Sequence, residues 1–309
     1  MSILGNFLKQ NFQCYKDIAI KNADSLQILK EFPKNSIDCI ITDPPYFIDG
    51  MGNNWNVSKL EKSSKKGKVV SNLPIGMKFD IEQGYKFQEF ENKLSKHLYK
   101  ILKPGGFYLS FSQPRLYHRM TVAIEDCGFE IRDMIVWKRR GQAKAFSQDH
   151  FIKKLKISDK KKQELLKLFE NKKTPQLMGL HEDICVAQKP KEGTFIENFC
   201  KYKVGLINSS YPFPSDLINI EKDRKEKVKH LTTKPIKLIQ YLLDVFTDKR
   251  NIVLDPFLGS GTTVIACRKM NRRCIGIELN ELYFNLIKSR IITCQLPLPK
   301  GRGLVKSPS

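Results

Sequence analysis

The chain has 309 residues, with 54 Lys and Arg against 32 Asp and Glu and a formal net charge of +22. That length suits one α/β domain with a sizeable insertion, and the charge favours a polyanionic partner over a merely basic protein. A chain with no run of about 18 apolar residues argues against a membrane span, and eight cysteines standing singly argue for reduced cytosolic thiols over disulfides or a zinc site.

Taken in order, Asp17–Asp24 reads as a short strand ending in an acid, and Ser25 is placed to cap a helix carrying Leu26, Leu29 and Phe32. Ile37–Thr42 is apolar on both faces, as a central parallel strand requires. At its mouth stands Asp43-Pro44-Pro45-Tyr46. A carboxylate, two stiff prolines that aim the Pro44 carbonyl, and an aromatic ring suit a flat base bearing an amino group. A plain strand-ending turn is the competing reading of those four residues. Gly50–Asn54 and Lys59–Lys68, rich in Gly, Asn and Lys, suggest a mobile surface loop able to cover the site.

Phe87, Phe90, Leu94, Leu98 and Ile101 recur at helical spacing, and Lys103-Pro104-Gly105-Gly106 is expected to stop that helix. Phe107–Phe111 and Ile131–Trp137 read as strands, so the alternation implies a parallel α/β sheet. Between Lys138 and Lys173 stand 13 Lys and Arg against four acids, interleaved with Phe146, Phe151 and Phe169. That composition fits a solvated basic helix or a nucleic-acid-reading insertion, and its place between two halves of a core favours the second.

The core pattern then resumes. Pro235 is expected in the first turn of a helix bearing Ile236, Ile239, Leu243 and Phe246. Asn251–Asp255 is a strand, Pro256–Thr263 a glycine turn into a helix, and Arg273–Glu278 the next strand. The Pro- and Gly-containing tail from Gln295 is expected to be disordered. A strand, Gly259-Ser260-Gly261, a helix, a strand and a terminal Glu278 make a nucleotide-type cofactor site, with the acid placed for ribose hydroxyls. Val264 stands where a dinucleotide fingerprint needs its third glycine, and no Gly-Lys-Ser/Thr serves a triphosphate. S-adenosylmethionine fits this site better than NAD or ATP.

Asp-Pro-Pro-Tyr at 43–46 together with Asp-Pro-Phe-Leu-Gly-Ser-Gly-Thr-Thr at 255–263 resembles the DNA amino-methyltransferases of bacterial modification systems. The first block precedes the second, as in the beta class. The resemblance implies a Rossmann-like S-adenosylmethionine-dependent methyltransferase fold, mostly parallel with helices on both faces, circularly permuted and carrying a target-recognition insert. It divides the chain into residues 1–138 with the catalytic block, the basic insert 139–229, the cofactor half 230–294 and the tail 295–309. Asp43, Pro44, Pro45 and Tyr46 correspond to the catalytic residues, and Asp24 to the acid on the cofactor's adenine. Thr232 and Lys234, within His230–Pro235, correspond to residues lining its methionine end. Asp255, Phe257, Gly259, Ser260, Gly261 and Thr262 match the cofactor loop, and Glu278 the ribose acid. Lys138, Arg139, Arg140, Lys144, Lys153 and Lys154 are the expected DNA contacts.

The implied activity is N6 methylation of adenine in double-stranded DNA by a cytoplasmic homodimer that needs no metal. N4 methylation of cytosine and a non-catalytic nucleic-acid-binding protein are the competing readings. Carbon-5 cytosine methylation needs a thiolate from a Pro-Cys pair, and none occurs.

Overall fold

The computed structural model describes residues 2–45, 81–139, 141, 145–209, 213–221 and 234–293. Within them, strands rich in β-branched residues assemble into one nine-stranded sheet ordered β1-β2-β9-β8-β3-β4-β6-β5-β7. The strands are β1 Gln13–Tyr15, β2 Ile18–Asn22, β3 Ile37–Thr42, β4 Leu102–Ser112, β5 Glu130–Lys138, β6 His181–Gln188, β7 Leu217–Asn219, β8 Ile252–Asp255 and β9 Arg273–Glu278. From β2 through β9, β8 and β3 to β4 every pairing is parallel.

Alternation along these strands feeds two cores. Ile18, Ile20, Cys39, Ile41 and Val253 face one side, where they meet α8 Ile236–Phe246, α9 Thr262–Lys269 and α10 Glu281–Thr293. Ala19, Ile40, Tyr108, Leu254 and Ile275 face the other, against α1 Ile3–Asn11, α2 Ser25–Ile28, α3 Ile81–Ile101 and α4 Tyr117–Glu125. The strands are apolar in both registers because both faces are covered. The fold is therefore the expected Rossmann-like one, a mostly parallel sheet with helices on both sides.

Several local expectations are corrected. Asp24, not Ser25, caps α2: its carboxylate accepts the Leu26 N–H at 2.8 Å, while the buried Ser25 hydroxyl donates to the Pro256 carbonyl. Pro235 occupies the cap position of α8 rather than its first turn. Helix α3 does stop before Lys103–Gly106, at Ile101, and that segment itself belongs to β4, whose Gly105 takes a φ of +78° and donates its N–H to the Lys189 carbonyl.

The largest difference lies in residues 139–229. Strand β6 comes from this stretch, yet it is inserted between β4 and β5 and pairs antiparallel with both. Helix α7 Phe195–Tyr202 and strand β7 also join the sheet layer, the latter beside β5. What stands off the sheet is narrower: α5 Asp149–Lys154 and α6 Asp159–Leu168, carrying the lysine-rich stretch. Ile184-Cys185-Val186-Ala187 is too short and too closely flanked by polar residues to stand out in the sequence as a core strand.

Candidate active site

Strand β8 leads through α9 to β9 on one side, and the chain after β3 reappears as β4 on the other side. The crevice beyond the carboxyl ends of β8 and β3 is thus a topological switch point, where open parallel sheets bind ligands. Asp24, Asp43, Asp255 and Glu278 all lie at or just beyond the carboxyl ends of strands along this edge.

On the β8–β9 side, the glycine turn is held from within. Asp255 is buried, and its carboxylate accepts from Thr42 Oγ1 at 3.0 Å, Thr263 Oγ1 at 2.6 Å and the Phe257 N–H at 3.1 Å. Burial pushes this carboxyl up to about 6, against the pull of those hydrogen bonds. Asp255, matched to the cofactor loop in the sequence, ties β3, the turn and α9 together.

Gly261 caps α9 with a φ of +80°, and a Cβ there would lie 3.0 Å from Ile287 Cγ1. Gly259 donates its N–H to Glu278 Oε2 at 2.7 Å, and Asn280 donates to Oε1 at 2.8 Å. Ser260 and Thr262 are buried with their hydroxyls 3.3 Å apart, and the half-buried Phe257 ring packs 5.8 Å from Phe90. Burial pushes the Glu278 carboxyl up to about 7 despite backbone hydrogen bonds from Asn280, Gly259 and Leu279. Asn22 and Glu278 are partners in the parallel register, the Asn22 amide donates to the Glu278 carbonyl at 2.7 Å, and exposed Asp24 follows two residues on.

On the β3 side, Thr42 ends the strand and the partly buried Asp43 follows, then buried Pro44 and partly buried Pro45. Lys234 Nζ lies 2.5 Å from Asp43 Oδ2 and 3.2 Å from Glu182 Oε2, and 4.9 Å from the centroid of the Phe111 ring. Burial opposes the charge on Lys234, but the Asp43 and Glu182 carboxylates outweigh it and hold the ammonium above the ordinary lysine value. Lys234, expected at the cofactor's methionine end, lies against the Asp43 carboxylate at this edge of the sheet.

Glu182, which the sequence did not single out, enters through β6, whose Asp183 pairs with Ser112 at the end of β4. Its other oxygen lies 3.3 Å from Arg139 Nε, so Arg139 is engaged in this cluster as well. Lys138, Lys153 and Lys154 are exposed, the last two in the final turn of α5. Tyr46, Thr232, Arg140, Lys144 and the 50–68 loop lie outside the described residues. Among the described residues, no group of three His, Cys, Asp or Glu is placed to hold a metal, and no helix is long and apolar enough to cross a membrane.

A parallel sheet with an acid-Pro-Pro turn on one side of its switch point and a glycine turn with a ribose-distance acid on the other defines a nucleoside-cofactor enzyme. Residues 37–289 match the model of the N6/N4 DNA methylase family, so the chain belongs to that family, the DNA amino-methyltransferases of restriction-modification type. S-adenosylmethionine is the family's methyl donor.

The chain is 28% identical over 301 residues to the type II methyltransferase M.HindIII of Haemophilus influenzae, covering 88% of this chain and 94% of that one. It is 25% identical to M2.DpnII of Streptococcus pneumoniae over 87% of this chain and 88% of that protein. Among solved structures, the PvuII cytosine-N4-specific DNA methyltransferase superposes with a TM-score of 0.59 at 16% identity, over 91% of this chain and 90% of that one. The M1.HpyAVI–SAM complex gives 0.53 at 22% identity, over 88% and 99%. Both share the fold.

Proposed function

We propose that this protein transfers the methyl group of S-adenosylmethionine to the N6 amino group of an adenine turned out of duplex DNA. The observation that carries this reading is Asp43 at the end of β3, across the switch point from Glu278 and the glycine turn. The pocket fits the cofactor: the Glu278 carboxylate accepts backbone N–H groups on both oxygens and retains lone pairs for ribose hydroxyls, with Asp24 two residues beyond its strand partner Asn22.

When bound, S-adenosylmethionine supplies an electrophilic sulfonium methyl group. Asp43 and the Pro44 carbonyl each accept one N–H of the target amino group. That returns electron density to a nitrogen whose lone pair is otherwise delocalised into the ring, and it aligns the lone pair for in-line attack. Asp43 then takes the proton the nitrogen releases. Turning the base out costs a few kcal/mol, which stacking on Tyr46 offsets in part.

Aspartate at the first position of the block resembles the adenine enzymes of the family, which supports N6 over N4. Lys138, Lys153 and Lys154 supply phosphate contacts in this reading, with Arg140 and Lys144. The order of β3 and β4 before β8 and β9 supports the permuted arrangement, and the family setting supports a homodimer in the bacterial cytoplasm.

The test is tritium transfer from labelled cofactor to unmethylated duplex DNA, followed by hydrolysis and base analysis. Label in N6-methyladenine, lost by roughly 100-fold or more in Asp43→Ala with cofactor binding kept, is the expected result. Label in N4-methylcytosine would move the assignment to the cytosine branch, and full activity in Asp43→Ala would remove Asp43 from the chemistry.

A further inference from the structure

Lys234 poses a problem for the reading of Asp43 just given. An ammonium 2.5 Å from Oδ2 leaves other lone pairs on the Asp43 carboxylate, but it draws electron density from the group that has to accept a neutral amino N–H and take its proton. A charge-assisted hydrogen bond is roughly twice as strong as a neutral one, so the base does not displace Lys234 unaided. Nor can Lys234 simply withdraw. Its side chain is only 10% exposed, and a buried ammonium without a counter-ion is costly.

The structure holds a second acceptor. Glu182 Oε2 lies 3.2 Å from Nζ, is buried, and forms no hydrogen bond among the described residues. Its sister oxygen forms an ion pair with Arg139 Nε at 3.3 Å, a nitrogen that also makes no hydrogen bond among the described residues, while Oε2 faces the lysine. The ion pair with Lys234 is therefore close but off-line. A shift of Nζ by a few tenths of an ångström would complete a charge-assisted hydrogen bond of ordinary length.

We propose that Glu182 is a positioning residue that receives Lys234 from Asp43 when the target base arrives, leaving Asp43 Oδ2 without a competing cation as it accepts the amino N–H. The exchange moves no proton: one ammonium trades one carboxylate for another, and the charge of the cluster is unchanged. In the resting site Lys234 keeps Asp43 oriented; in the loaded site Glu182 keeps Lys234 paired. This proposal rests on Asp43 being the amino acceptor.

The test uses the full-length protein, tritiated S-adenosylmethionine and unmethylated duplex DNA, with cofactor Kd measured by calorimetry. Glu182→Gln is expected to lower kcat by roughly 10- to 100-fold, since misplacement of a reacting group by an ångström can cost that much, and to leave cofactor Kd within about threefold. Glu182→Asp should recover part of the loss. In a Lys234→Met background no ammonium needs a receiver, so adding Glu182→Gln should cost nothing further. A kcat within about twofold of wild type in Glu182→Gln, or a loss that persists undiminished in the Lys234→Met background, overturns the proposal while the Asp43→Ala result stands on its own.

A crystal structure of the wild-type protein with duplex DNA and a cofactor analogue gives a readout that no variant's folding can spoil. Nζ within hydrogen-bonding distance of Glu182 and released from Asp43 is expected. Nζ still on Asp43 with the base in place would overturn the exchange. Normal methyl transfer by Asp43→Ala would instead overturn the function on which the proposal rests.

Discussion

Glu278 has a backbone N–H on each oxygen and a carboxyl that burial pushes up to about 7, so near neutrality it lies midway between acid and carboxylate. In the proposed function two ribose hydroxyls donate to it, which would favour the ionised form. Cofactor affinity should therefore weaken as pH falls below about 7, approaching about tenfold per pH unit as the acid form takes over. Calorimetric Kd values between pH 5.5 and 8 check this, and a flat profile would remove the carboxylate from the cofactor contact. Glu278→Gln should abolish the slope and weaken binding at pH 8 by roughly 10- to 100-fold, the worth of hydrogen bonds to a charged acceptor. Glu278 and Asp43 stood out in the sequence because each is an acid at the end of an apolar strand. Asp255 looked the same in the sequence, but the hydroxyls of Thr42 and Thr263 turn its carboxylate inward. Which way an acid faces depends on neighbours distant in the chain, and for the same reason the pairing of Lys234 with Asp43 and Glu182 was invisible.

Between elements, the contact of α3 with β4 includes a buried acid. Glu91, 0% exposed on the inner face of α3, accepts from Tyr108 Oη of β4 at 2.6 Å and from Ser95 Oγ at 3.1 Å. Burial pushes its carboxyl up to about 7, the two hydrogen bonds opposing. The folded state then binds a proton more tightly than the unfolded chain. The stability this contributes is fully present below the ordinary glutamate value and is lost as pH rises through about 7. Glu91→Gln keeps an acceptor for Tyr108 but does not ionise. Relative to wild type it should gain on the order of 3 kcal/mol between pH 4.5 and pH 8. Urea unfolding of both proteins at each pH checks this, and a pH-independent difference would contradict it. Periodicity revealed α3 itself, because Phe87, Leu94, Leu98 and Ile101 fall on one buried stripe. Strand β6 escaped because its pairing is antiparallel and long-range: it closes the sheet against β4 and β5 from within a stretch whose composition is dominated by lysine.

Across the whole molecule, the net charge of +22 and the switch-point crevice fit the proposed function together: the charge attracts an anionic duplex, and the crevice would receive one of its bases at the sheet edge. The charge was legible from composition, and the class of chemistry from two motifs. The division between core and reader was not, because part of the presumed reader is built into the sheet. That leaves α5 and α6 as the basic element standing off the core, with Lys153 and Lys154 exposed in the last turn of α5. Should these two lysines each neutralise a phosphate, they release counterions and add to the salt dependence of binding without reading sequence. Lys153→Ala/Lys154→Ala should then weaken DNA binding equally for every duplex sequence. It should also lower the slope of log K against log salt by about 2, at roughly 0.9 per phosphate. Fluorescence anisotropy between 50 and 200 mM salt, on two unrelated duplexes, measures both quantities. An unchanged slope would take α5 off the DNA, and a loss confined to one duplex would make these lysines readers of base sequence rather than holders of the backbone.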